Sequence, residues 1–124
     1  MGYPVRVYQG FLPRSPDSAD DVLDRLFDEA SGARPSRRVQ RFARALERRW
    51  PARTEAEHLA GPWHDMTPTE SVFGKVCDME VNSEDAAHMV SLIARAARRY
   101  GLICVDAGGT GVYGWWSVPP LAHS

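Results

Sequence analysis

The segment GPWHDMTPTE, residues 61–70, gathers a tryptophan, a histidine, two carboxylates and two threonines around Pro62 and Pro68. A histidine beside a carboxylate is the pairing that general-base chemistry uses. Trp63, His64 and Asp65 are consecutive, however, and consecutive side chains do not usually face one another. No serine or cysteine on an elbow-type motif accompanies them. The segment therefore reads as a connector pinned by its tryptophan, with Trp63, His64 and Asp65 as candidate partner-binding residues. The competing reading is a small enzyme or ligand-binding accessory protein that uses His64, Asp65 and Glu70 beside a pocket.

Glu55, Glu57, His58, His64 and Asp65 also cluster in the sequence. They match no HExxH pattern, and His58 to His64 is not a one-turn helical spacing. We assign no metal site from them. Gly108-Gly109-Thr110-Gly111 is not followed by a helical pattern, so it fails as a phosphate cradle and reads as a hairpin turn. The sequence points to no cofactor and to no catalytic set.

Arg37, Arg41, Arg44 and Arg48 recur at helical spacing and form one basic stripe. Charge is segregated along the chain. Residues 17–29 carry six acids and one arginine, residues 34–53 eight arginines and one glutamate, and residues 55–85 eight acids and one lysine. The stripe then has two readings. It is either a solvated face paired with the acidic segment 18–32, or a contact surface for an acidic protein, where segregated charge speeds association. Nucleic acid is the third class, and a pI near 6.4 argues against it. Trp115 and Trp116 are adjacent in a strand-like run, so one packs inward and the other outward. An outward Trp116 is a binding anchor of the kind that dominates interface hot spots.

Several elements must carry these groups. Residues 3–9 alternate Val5 and Val7 against Arg6 and Tyr8, which predicts a strand with one buried face. Residues 18–32 read as a helix with Ser18 and Asp21 as a capping box. Residues 35–51 read as a second helix with Val39, Phe42, Leu46 and Trp50 on its apolar stripe. Residues 52–70 show no period and read as a long connector loop. Residues 71–81 predict one long strand with a bulge at Gly74. Residues 82–101 predict a helix capped by Asn82 or Ser83 and closed by Gly101. LICVD, residues 102–106, is a continuous apolar strand of the central kind. VYGWWSV returns as an edge strand, and residues 119–124 fray.

The sum is an α+β chain in one compact domain over residues 1–124, in the order β-α-α-β-α-β-(β). The expected sheet is mixed, with the helices mainly on one face. A chain of 124 residues with 44% hydrophobic and 25% charged content suits a single globular domain. The apolar runs are too short for a transmembrane helix, and the N-terminus lacks a signal-peptide pattern. Cys77 and Cys104 lie in apolar runs without CxxC spacing and read as buried thiols, placed either apart or on adjacent strands. These features predict a cytoplasmic protein with no membrane partner, and they are compatible with a homodimer. Arginine outnumbers lysine 14 to 1, the bias of a GC-rich bacterial genome.

Gly61-Pro62-Trp63 with Thr67-Pro68, and then Ala97 to Asp106 (ARRYGLICVD), carry a resemblance. The chain resembles a group of small actinobacterial and other bacterial α+β proteins with an "sPW…sP" connector and a closing "GLvvYDPq" strand. It departs from that pattern at Val105-Asp106-Ala107-Gly108. The resemblance supplies no activity. Some proteins of this style are suspected immunity proteins, which implies a non-enzymatic module that binds a toxin domain.

Overall fold

The computed structural model describes residues 2–10, 16–30, 34–106 and 112–113. Strand β1 (Gly2–Tyr8) leads to helices α1 (Pro16–Ala30), α2 (Arg37–Arg49) and α3 (Glu55–Ala60). Then come β2 (Val72–Phe73), β3 (Val76–Asn82), α4 (Ala86–Arg99), β4 (Ile103–Asp106) and β5 (Val112–Tyr113). The sheet order is β2-β3-β1-β4-β5, and every pairing is antiparallel, so the expected mixed sheet is corrected. β3 and β4 both run against β1, and α4 carries the chain across β1 between them.

Strand alternation divides the sheet into two faces. Val5, Val7, Cys77, Met79, Val81 and Cys104 point to one face and pack under α2 and α4. Tyr8, Val76, Ile103 and Val105 point to the other, where Leu23 and Leu26 of α1 cover them. Two of the longer helices thus share a face and the third lies opposite. This arrangement also explains LICVD. Its unbroken apolar run comes from cover on both faces rather than from a parallel sheet. Farther along the α1 face, Arg6 pairs with Asp78 across the strands at 3.0 Å and places its guanidinium 5.9 Å from the Phe27 ring centroid.

The predicted single strand over 71–81 is a hairpin. Gly74 and Lys75 form its two-residue turn, with Gly74 at φ +55°. Only a glycine takes that first turn position without strain. Helix α1 begins at Pro16, which suits the first helical position, so Ser18 lies inside the first turn instead of capping it. Asn82 makes no side-chain cap either. Its Nδ2 donates to the Gly61 carbonyl at 3.2 Å.

Residues 52–70 are not structureless. Thr54 and Glu57 form a reciprocal capping box that starts α3, with bonds of 3.2 and 3.1 Å. The chain then runs beside the outer edge of β3. His64 N–H donates to the Glu80 carbonyl at 3.1 Å, and Asn82 N–H donates to the Pro62 carbonyl at 2.8 Å. Trp63 forms an isolated bridge with Val81. Pro68–Ser71 closes the connector as a 3-10 turn, where Thr69 N–H donates to Glu47 of α2 at 2.7 Å. The connector thus continues the edge that the short β2 leaves uncovered.

Trp63 is the anchor of that edge. It is 1% exposed and stacks edge-on against Trp50, with ring centroids 6.2 Å apart. Its Nε1–H donates to the Trp50 carbonyl at 2.9 Å, which satisfies a terminal carbonyl of α2. Trp63→Ala should cost about 3–5 kcal/mol through lost burial and a residual cavity. Trp63→Phe should keep most of the area and lose about 1 kcal/mol with the hydrogen bond. Chemical denaturation of both variants checks this, and a Trp63→Ala loss below that of Trp63→Phe would contradict it.

Cys77 and Cys104 both sit opposite Val7, one on each side of β1. They are therefore not on adjacent strands. Two interstrand spacings separate them by about 9–10 Å, beyond disulfide reach. Burial raises both thiol pKa values, with Asp78 adding to the effect at Cys77 and Asp106 at Cys104. Burial also pushes the Tyr8 hydroxyl up from 10.0 to about 12. All three shifts favour the protonated form. The stability they confer is complete below the unfolded-state values, about 9 for the thiols and 10 for Tyr8. It is lost as pH rises through and beyond them toward the folded-state values. The melting temperature should fall steadily above pH 9. Neither thiol should react with a disulfide reagent at pH 8 until denaturant is added. Rapid labelling of the native protein would refute the buried placement.

Candidate anion-binding cleft

Helix α2 begins at the hairpin turn. Ser36 caps it by accepting from Val39 N–H at 3.3 Å, and Ser36 Oγ–H donates to Gln9 Oε1. Ser36 N–H donates to the Gly74 carbonyl at 2.7 Å, and Gln9 N–H to the Lys75 carbonyl at 2.9 Å. These bonds tie the end of β1, the hairpin and the start of α2 into one corner.

The end of α4 reaches the same corner. Tyr100 caps the helix, its ring edge-on to Phe42 of α2 at 6.2 Å. Gly101 follows at φ +66°, and Leu102 N–H returns to the Ala97 carbonyl at 2.9 Å. A positive φ just past a helix end is where glycine is favoured. A Cβ at Gly101 would stand 3.6 Å from Arg38 Nη1, so the first turn of α2 lies beside the last turn of α4.

Between these pieces is an open cleft of about 830 Å3. Six cations line it: Arg34, Arg37, Arg38, Arg41, Lys75 and Arg99. Gln9, Ser36, Tyr100 and Gly101 also line it, and no carboxylate lines it among the described residues. Among the described residues, none of the six cations is ion-paired. Among the described residues no ion pair joins acidic α1 to them, and the apolar residues of α1 pack on the opposite face of the sheet. Glu47, the one acid among residues 34–53, is committed to Thr69. The expected pairing of the basic stripe with segment 18–32 is therefore not found among the described residues.

The residues singled out in the sequence separate. Arg37 and Arg41 line the cleft, while Arg44 and Arg48 continue the exposed stripe beyond it. Trp63 is buried in the core and is unavailable as a surface contact, a correction to its assignment as a partner-binding residue. His64 and Asp65 are exposed. Asp65 borders a separate small pocket of about 190 Å3 with Met66, Ser71, Phe73, Asp78 and Glu80. His64 and Glu70 do not line that pocket. Glu70 instead accepts from Thr67 N–H and Oγ1–H at 3.1 and 2.8 Å, and these bonds hold its carboxyl below the ordinary carboxylate range. Among the described residues, no three His, Cys, Asp or Glu side chains converge as a metal site. Trp116, with Trp115, lies outside the described residues.

Sequence reasoning missed Arg34, Arg38, Lys75 and Arg99 as members of one site. The only local signal was the arginine density of residues 34–53. Arg99 lies in the last turn of α4, where a cation also suits the helix C-terminus. Comparison with family models, with curated proteins and with solved structures gave no match to this chain.

Proposed function

We propose that the protein is a non-enzymatic binding module that meets the acidic surface of another protein at the basic cleft. Its most specific form is an immunity-type inhibitor of a bacterial toxin, acting in the cytoplasm. The observation that supports this reading is the convergence of six cations with no carboxylate among the described cleft residues. Two unit charges about 6 Å apart repel by roughly 0.7 kcal/mol even in water. An acidic partner would relieve that repulsion, and arginine is the cation best suited to grip its carboxylates through paired hydrogen bonds. The enzyme reading has less behind it, because His64, Asp65 and Glu70 do not converge on one pocket.

The test is affinity capture from the source organism with four baits. They are the wild type, Arg37→Glu/Arg41→Glu, Arg44→Glu/Arg48→Glu, and Asp65→Asn as an off-cleft control. The expected result is a stoichiometric protein held by the wild type and by Asp65→Asn but lost from the Arg37/Arg41 variant. With that partner purified, affinity should fall by at least about a hundredfold in the Arg37/Arg41 variant. The Arg44/Arg48 variant should lose much less, mainly in association rate. A partner retained equally by every bait would remove the cleft from the interface.

A further inference from the structure

We infer that the cleft is also a binding site for an oligophosphate group carried by a small molecule. The inference concerns the same cleft as the protein-binding reading and stands without it.

The first argument is convergence. The lining cations come from Arg34 ahead of the α2 cap, the first turns of α2, the hairpin turn and the end of α4. They therefore reach one open cleft from several elements, and its volume of about 830 Å3 falls within the range of small-ligand sites. A helix-borne stripe such as Arg44 and Arg48 suits a flat acidic surface. An open cleft that takes cations from several elements suits a compact ligand with several charges. A phosphoryl group supplies close to two negative charges and three acceptor oxygens at one centre. A protein carboxylate brings one charge on its own side chain.

The second argument is donor chemistry. Five of the six cations are arginines, whose planar forks match phosphate oxygens. Gln9 Oε1 is occupied by Ser36, which leaves its amide N–H groups as the donating end. The first turn of α2 contains no acidic residue. Helices commonly place Asp or Glu there, against the positive end of the dipole. Here that end carries Arg37 and Arg38 instead, so positive potential accumulates where an anion would offset it.

The probe is inorganic tripolyphosphate, titrated calorimetrically into the full chain at 100 mM salt, with citrate as a polycarboxylate comparison. Arg37→Gln/Arg41→Gln removes two lining cations. Arg44→Gln/Arg48→Gln removes the same charge from the same helix outside the cleft. All four positions are exposed, and circular-dichroism melts check that both variants fold. The expected result is saturable one-to-one binding of tripolyphosphate, at least tenfold tighter than citrate. It should weaken tenfold or more in the Arg37/Arg41 variant and less than twofold in the Arg44/Arg48 variant. No saturable binding would overturn the inference. So would equal affinity for citrate, or equal loss in both variants. A single-stranded oligonucleotide that binds more tightly per phosphate, with the same dependence on Arg37 and Arg41, would also overturn it by making a nucleic-acid backbone the occupant. If tripolyphosphate fails while partner capture still depends on Arg37 and Arg41, the phosphate site falls and the protein interface stands.

Discussion

The position of α2 depends on two hydrogen bonds at its opposite ends. At the C-terminal end the indole N–H of Trp63 reaches the Trp50 carbonyl at 2.9 Å. At the N-terminal end Ser36 N–H reaches the Gly74 carbonyl at 2.7 Å. Both partners belong to the same side of the sheet, one on the edge connector and one on the hairpin. Between these points Val39, Phe42, Ala43 and Leu46 bury the apolar stripe. The helix is thus fixed in translation by its ends and in rotation by its core face. Its arginines can face only outward and toward the corner shared with α4. The apparently chemical segment GPWHDMTPTE is part of this clamp. Its tryptophan holds the helix, its backbone extends the sheet edge, and Glu70 braces its final turn.

The sheet then separates the charges that the sequence places close together. Acidic α1 and basic α2 are neighbours in the chain, and pairing them would have produced a neutral, solvated surface. The structure puts them on opposite faces, with β1, β3 and β4 between their cores. A net charge of −1 therefore conceals a strongly basic corner. The field near that corner is set by the six nearby cations, because solvent and salt screen charges much farther away than a Debye length of roughly 8–10 Å. A low pI consequently excludes little about what binds there. It describes the sum of the chain, while binding responds to the local arrangement.

Helices α2 and α4 and strands β1 and β3 were legible because their burial is periodic, and periodicity is a local property. The α+β class follows from them. The connector was not legible, since Pro62–His64 pairs with residues some twenty positions away and no alternating pattern marks so short an edge. The antiparallel sheet was obscured for a related reason. Residues 102–105 are apolar at every position because α1 and α4 cover opposite faces, and a sequence does not distinguish that cause from a parallel neighbourhood. Of the site, the stripe was legible on one helix. Lys75 and Arg99 could join it only after the hairpin and the α4 terminus were brought to one corner. In the sequence Lys75 falls inside a stretch that reads as a single strand and Arg99 at a helix end, so neither position marks a shared site.

The same constraints decide what sort of binding surface this corner makes. The backbone bonds that form it run between β1, the hairpin and α2, and Gly101 lets the α4 terminus turn beside Arg38. The bases of the cationic side chains are therefore positioned before any ligand arrives. Only their outer rotamers remain to be ordered, which lowers the entropy lost on binding. The free protein carries the opposing cost, mutual repulsion among cations with no described carboxylate to offset it. A scaffold able to tolerate that repulsion needs stability elsewhere. Here it comes from a core on both faces of the sheet and from the Trp63 clamp. The core tryptophan and the exposed arginines are thus linked without touching: one fixes the helix so that the others can stay close together.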